Sequence, residues 1–126
     1  MAIDLHWHDP SQSILEIQLS DAWTWSELFH VAEAANTLTL SKSHVVHSIL
    51  DLRLAGQAPA RSLAIMTRFD DLQAAPNSGL QVVVGATEFN AIVAEVFREI
   101  NPQVSLVEDL SAALDLIANT ELDPLS

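Results

Sequence analysis

A single α/β domain built on a mostly parallel five-stranded sheet is the fold the sequence predicts. Two observations predict it. Apolar strand-like segments, above all 45–52 and 80–85, alternate with segments whose apolar residues recur at helical spacing. That alternation implies parallel pairing through right-handed crossovers. The chain also opens with two strand-like segments separated by Asp9-Pro10-Ser11-Gln12, turn chemistry that predicts an antiparallel hairpin. The expected order is ββαβαβαβα, with four helices and only the first strand antiparallel.

The first strand spans 3–8, with Ile3, Leu5 and Trp7 opposite Asp4, His6 and His8. The return strand, 13–19, alternates as cleanly, with Leu15, Ile17 and Leu19 on one face and Glu16 and Gln18 on the other. The first helix has a strong start signal: Thr24 caps, Glu27 completes a capping box, and Trp23 with Leu28 forms a hydrophobic staple. Leu28, Phe29, Val31, Ala32 and Ala35 give its apolar face, and it is expected to fade over 36–39. The third strand is 45–52. The second helix is expected to start near Pro59, a residue suited to a first helical position. It carries Leu63, Ile65, Met66, Phe69 and Leu72, and Pro76-Asn77-Ser78-Gly79 ends it. The fourth strand is 80–85. A third helix over 87–100 points Phe89, Ile92, Val93, Val96 and Phe97 inward. The fifth strand, 104–107, leads through the cap Asp109 into a helix carrying Leu110, Ala113, Leu114 and Ile117, with Asn119 as its stop. The domain is placed at 1–120 and a tail at 121–126.

A parallel strand covered on both faces is apolar throughout. Here strand one has a polar side, strand three has one containing His47 and Asp51, and strand four adds Gln81. The helices are therefore expected to crowd one side of the sheet. The other side is left partly open, either solvated or a subunit interface.

Composition narrows the function. The 126 residues are 49% apolar, which excludes disorder, and no apolar run approaches the roughly 18 residues that span a bilayer. The first residues lack the basic start and apolar core of a signal peptide, so a cytoplasmic location is expected. With no cysteine there is no disulfide and no thiolate. Seventeen acids against five Lys and Arg disfavour nucleic acid and anionic membranes, both of which need cations. Four of those five cations, Lys42, Arg53, Arg61 and Arg68, lie between 42 and 68.

No catalytic motif emerges. His6 and His8, two apart on a strand, share a side with Glu16 or Gln18 across the hairpin, and His47 lies one or two strands away. A zinc site needs three or four such groups to converge, and strand-spaced histidines alone do not specify that. Ser62 near a helix start and Asp51 at the preceding strand end lack a nucleophile elbow. Gly85-Ala86-Thr87 offers backbone N–H groups to a small anion, but the chain has three glycines and no phosphate-binding pattern. Trp25, at a first helical position, marks a contact surface if its indole is exposed.

The element order, with the phrases Ile49-Leu50-Asp51-Leu52 and Val107-Glu108-Asp109-Leu110-Ser111-Ala112-Ala113-Leu114, resembles the SpoIIAA-like or STAS domains, the anti-sigma-factor antagonists and their relatives. The resemblance covers nearly the whole chain in pattern and rests on short motifs. It implies action by binding a partner protein, with nucleotide or lipid binding in some relatives. In the antagonists a serine in an Asp-Ser-Ser-Gly stretch at the second helix start is phosphorylated. Here Pro59-Ala60-Arg61-Ser62 stands opposite that stretch, so Ala60 and Arg61 replace the serines and Ser62 is out of register. The expectation is therefore a non-enzymatic interaction module without a phosphoserine switch, with no cofactor and no metal, working on a protein partner or as a homodimer. Its expected contact residues are Arg53, Gln57, Arg61 and Ser62, plus Trp25. The alternative is a small-ligand domain holding a lipid or nucleotide at the carboxyl ends of the parallel strands. A third reading is an enzyme using the His6, His8 and His47 face.

Overall fold

The computed structural model describes residues 3–88, 90–101 and 103–122. The strands are β1 (Ile3–Trp7), β2 (Ile14–Asp21), β3 (Val46–Ala55), β4 (Ser78–Val84) and β5 (Val104–Val107). The helices are α1 (Trp25–Leu40), α2 (Leu63–Asp71), α3 (Ile92–Ile100) and α4 (Leu110–Leu122). They alternate as ββαβαβαβα, and the sheet order is β1-β2-β3-β4-β5, with β1 antiparallel to β2 and every other pair parallel. No helix among the described residues is long and apolar enough to cross a membrane.

Each strand pairs with its predecessor in the chain, so the crossovers through α1, α2 and α3 all step the same way. Right-handed connections then place these three helices on one face. That face holds the larger core, in which Leu15, Ile17 and Leu19 of β2, Leu50 and Leu52 of β3 and Val83 of β4 meet Leu28, Phe69 and Phe97. Phe69 stacks edge-on against Phe29 at 5.2 Å and Phe97 at 6.0 Å. Helix α4 follows the last strand and takes the opposite face, where Ala113 and Ile117 close over Ile49, Val82 and Val84. So three of the four helices crowd one side, and the β1–β2 half of the other side stays uncovered.

The β1–β2 register puts Ile3, Leu5 and Trp7 beside Leu19, Ile17 and Leu15. Asp9 fixes the turn. Its Oδ1 accepts the N–H groups of Ser13 and Ile14 at 3.0 and 3.1 Å, and its Oδ2 accepts the Ser13 hydroxyl at 2.6 Å and that of Ser11. Burial alone would raise its pKa, but these four donors outweigh burial and hold it at about 2.

The capping box of α1 forms as expected, with Thr24 Oγ1 accepting from Glu27 N and Glu27 accepting from Thr24 N. The helix does not fade at 36–39. Thr37 and Thr39 bond back to the carbonyls of Glu33 and Ala35, and Asn36 is clamped to Gln73 and Ala75 after α2. Tertiary contacts thus outweigh the weak propensity of these residues. Helix α2 starts at Leu63, not near Pro59, because Ser62 adopts the extended cap conformation and its hydroxyl accepts from Ile65 N at 3.2 Å. Helix α3 starts at Ile92, not Thr87. The buried Asn90 side chain accepts from Thr87 N at 2.8 Å, and Thr87 O accepts from the N–H groups of Asn90 and Ala91, a turn that precedes the helix. Helix α4 runs past Asn119 to Leu122, and Asp109 caps it by accepting from Ala112 N at 2.8 Å. Phe89 and the tail beyond 122 lie outside the described residues.

One alternation is reversed. Gln81 pairs in register with Ser48 and faces the three-helix side, while Leu80, Val82 and Val84 face α4. An irregularity between Val46 and Ser48, where β4 spends an extra residue, sets that phase.

Candidate functional site

The carboxyl edge of the sheet is built around Asp51 and the chain that follows it. Asp51 sits near the end of β3, buried on the face opposite α1–α3, and Arg53 folds back onto it. Arg53 Nε donates to Oδ1 at 3.0 Å and Nη2 to Oδ2 at 2.8 Å, and its backbone N–H also donates to Oδ1 at 3.0 Å. Gln18 Nε2 donates to Oδ2 at 3.4 Å from β2. Burial would raise the Asp51 pKa, but the bonds from Arg53 outweigh it and hold the carboxyl below its ordinary value. The fork geometry fixes the guanidinium plane while its head remains partly in solvent.

From Gly56 to Ser62 the chain is irregular and tied down at two points. Gly56 N donates to Asp21 O at 2.9 Å, and Pro59 O accepts the Trp25 indole N–H at 2.7 Å. Asp21 reaches this junction with φ 52, a left-handed backbone. The tether on Trp25 corrects the expected contact surface: Trp25 is only 3% exposed, its ring edge-on to Trp23 at 4.9 Å and Phe69 at 6.1 Å. An indole with a buried N–H partner and two aromatic neighbours belongs to the core. Arg53, Gln57, Arg61 and Ser62 are all exposed and share one connection. Ser62 spends its hydroxyl lone pair on the helix it caps.

The structure adds two residues to this group. Leu54 is 59% exposed and Leu63 is 85% exposed. The sequence puts Leu63 on the second helix with Ile65, Met66, Phe69 and Leu72, and those four fill the inward face of α2. Leu63, at the first position after the cap, points away from it. Only the cap position could have revealed this, because it sets which residues fall on the stripe. Beside Arg61, a groove of about 230 Å³ runs between α2 and α3, with Met66, Ile92 and Val96 along it and Asp70, Glu95 and Glu99 at its margin.

The histidines do not converge. His6 Nδ1 lies 2.7 Å from Asp4 Oδ2 and its Nε2 2.6 Å from Glu16 Oε2, while His8 Nδ1 lies 2.9 Å from Glu16 Oε1. A ring with a carboxylate at each nitrogen donates from both only as imidazolium. Burial would lower the His6 pKa, but Asp4 and Glu16 outweigh it and raise it above 6.5. His47 is in register with Ile14, buried, and its Nδ1 accepts from Leu80 N at 2.9 Å. A Cβ on Gly79 would stand 2.4 Å from that Nδ1, so glycine is needed there for the ring to seat. Among the described residues no three His, Cys, Asp or Glu side chains are grouped to hold a metal ion. His30 faces Glu33 at 3.6 Å on the surface of α1, and His44 meets Gln12 O at 3.0 Å.

At Gly85, φ is +71, and its N–H donates to Val107 O at 2.9 Å. Thr87 N is taken by Asn90. Two of the three N–H groups expected to face an anion are therefore committed within the protein. No family model matches the chain, and no curated protein matches it.

Proposed function

We propose that this chain is a non-enzymatic, regulatory protein-interaction module of STAS-like type, which binds its partner through the β3–α2 connection and works without a phosphoserine switch. The observation that carries this reading is the exposure of Leu54 and Leu63 on one connection that also presents Arg53, Gln57 and Arg61. Apolar side chains flanked by arginines on a tethered loop match the composition of a binding hot spot, where a few desolvated anchors carry most of the energy. The scaffold supports the presentation, because the tether through Trp25 and Gly56 reduces the ordering cost of association. The chain carries a formal charge of −12, and this connection is one of its cationic regions. A partner surface with apolar pockets and carboxylates fits it.

The test is affinity capture from the source cells with the full chain, Leu54→Ser/Leu63→Ser and, as control, Leu106→Ser on β5. Leu106 is also exposed, at the sheet edge. The double variant is expected to keep its folded spectrum and lose about tenfold or more in partner recovery, while Leu106→Ser retains it. Equal recovery by all three proteins contradicts the reading. The homodimer form of the proposal is checked by solution mass, where a monomer at high concentration removes it.

A further inference from the structure

We propose that the opposite edge of the sheet, where the parallel strands begin, holds a binding site for a small organic molecule with a hydrogen-bond-donating head, an amine or a carboxamide, on a short apolar body. A cavity of about 70 Å³ lies there between the sheet and the last turns of α1, α2 and α3. That is room for about two water molecules or a small solute. Leu15, Ile17 and Phe97 supply apolar wall, and no charged side chain is among the described residues lining it. The polar side chains on the sheet side are Ser78, at the start of β4, and Ser48 and Gln81, neighbours in the β3–β4 register. Gln81 is only 7% exposed. Among the described residues, neither its carboxamide nor the Ser48 hydroxyl has a protein hydrogen-bond partner. A carboxamide without a protein partner that opens onto a cavity offers its hydrogen bonds to whatever occupies that cavity.

The sign of the ligand follows from topology. The three crossover helices run antiparallel to the strands, so all three C-termini and their unpaired carbonyls collect at this edge. A carboxamide donor already answers one of these helix-end carbonyls, Thr39 O of α1, and two further carboxamides answer other carbonyls at this edge. Asn36 Nδ2 donates to Gln73 O at 3.1 Å, Asn77 Nδ2 to Thr39 O at 2.7 Å, and Asn101 Nδ2 to Gly79 O at 3.4 Å. Helix α1 has no basic residue in its last turn, and Arg68 and Arg98, in the last turns of α2 and α3, are exposed and do not line the cavity. The local field therefore favours a donor or a cation and opposes an anion. Gln81 Oε1 and Ser48 Oγ are the acceptors at the floor. The proposal is independent of the partner-binding reading, which concerns the other edge of the sheet.

The experiment is an NMR titration of the isotopically labelled full chain with propylamine, propionamide and propionate at neutral pH. Propylamine and propionamide are expected to give saturable shifts at the Gln81 side-chain amide and at Ser48, Phe97 and Ile100. Propionate is expected to bind about tenfold more weakly, the preference that three helix C-termini generate. Ala35→Leu, which fills the cavity from α1, and Ser48→Ala, which removes an acceptor at little structural cost, are each expected to weaken propylamine binding. The proposal is overturned if the lining resonances show no saturable response, leaving a solvent-filled cavity only. It is equally overturned if propionate binds as well as propylamine, or if Ser48→Ala, folded, binds propylamine unchanged.

Discussion

The sheet face beneath α1–α3 and the β1–β2 half of the opposite face share the same strands and have opposite chemistry. On the first, Leu15, Ile17, Leu50 and Val83 are sealed under helices. On the second, Asp4, His6 and Glu16 are linked by hydrogen bonds, and Gln18 separately reaches Asp51, which Arg53 holds. A helix that excludes water makes each buried apolar area worth about 25 cal/mol/Å². An ion pair facing solvent contributes about 0–1 kcal/mol. The comparison teaches that the fold rests on one face, which leaves the other free to vary in charge with pH or contact at small cost to stability.

Substitution breaks that comparison most sharply at its centre. Leu50, fully buried beneath the helices, is expected to cost about 3–4 kcal/mol of unfolding free energy as Leu50→Ala. Gln18→Ala, one strand away on the open face, is expected to cost less than about 1 kcal/mol, its bond to Asp51 being long. Urea unfolding of both variants compares them directly. A smaller but still large effect is expected at the β4 entry. Gly79→Ala forces the His47 ring from its seat and loses about 1–3 kcal/mol, read as a lower urea midpoint.

Two pH effects are expected to be smaller, and they have opposite signs. Asp9 has its folded pKa depressed from 3.8 to about 2. Its contribution is fully present above 3.8 and is lost as pH falls from there toward 2. Asp9→Asn should therefore lower stability by about 1–2 kcal/mol at neutral pH and flatten the acid limb of a Tm-against-pH curve. His6 has its folded pKa raised above 6.5, so its contribution is present below 6.5 and is lost as pH rises through the raised value. After allowance for solvent screening of its exposed ring, His6→Gln should cost under about 1 kcal/mol at acidic pH and nothing at alkaline pH. A His6→Gln effect that grows with pH would contradict the imidazolium assignment.

Much of the fold was legible because period-two alternation and capping chemistry are local. Ile3, Leu5 and Trp7 against Asp4, His6 and His8 announced both the first strand and the half-open sheet, and Thr24 with Glu27 announced α1. The features that escaped were set by tertiary context. Asn36, clamped to Gln73 and Ala75, carries α1 past its weak residues. The irregular register at the β3–β4 start turns Gln81 under the helices. The candidate site was half legible. Gln57, Arg61 and Ser62 were readable as a connection after a buried strand, whereas Arg53, expected in that loop, lies within β3, which runs to Ala55. Leu54 and Leu63 were not readable, because an exposed leucine and a core leucine look alike until the helix start is fixed. Trp25 was misplaced for a related reason, since its indole partner, the Pro59 carbonyl, is 34 residues away in the chain.

The central claim is association through the β3–α2 connection. Its most direct test is a photo-crosslinking amino acid placed in the full chain at position 63, or as comparison at position 40, and activated in the source cells. Leu40 is exposed like Leu63 but ends α1, at the other edge of the sheet. The account predicts one adduct of discrete mass from position 63 and none of that mass from position 40. The same adduct from both positions, or none from position 63, would contradict it.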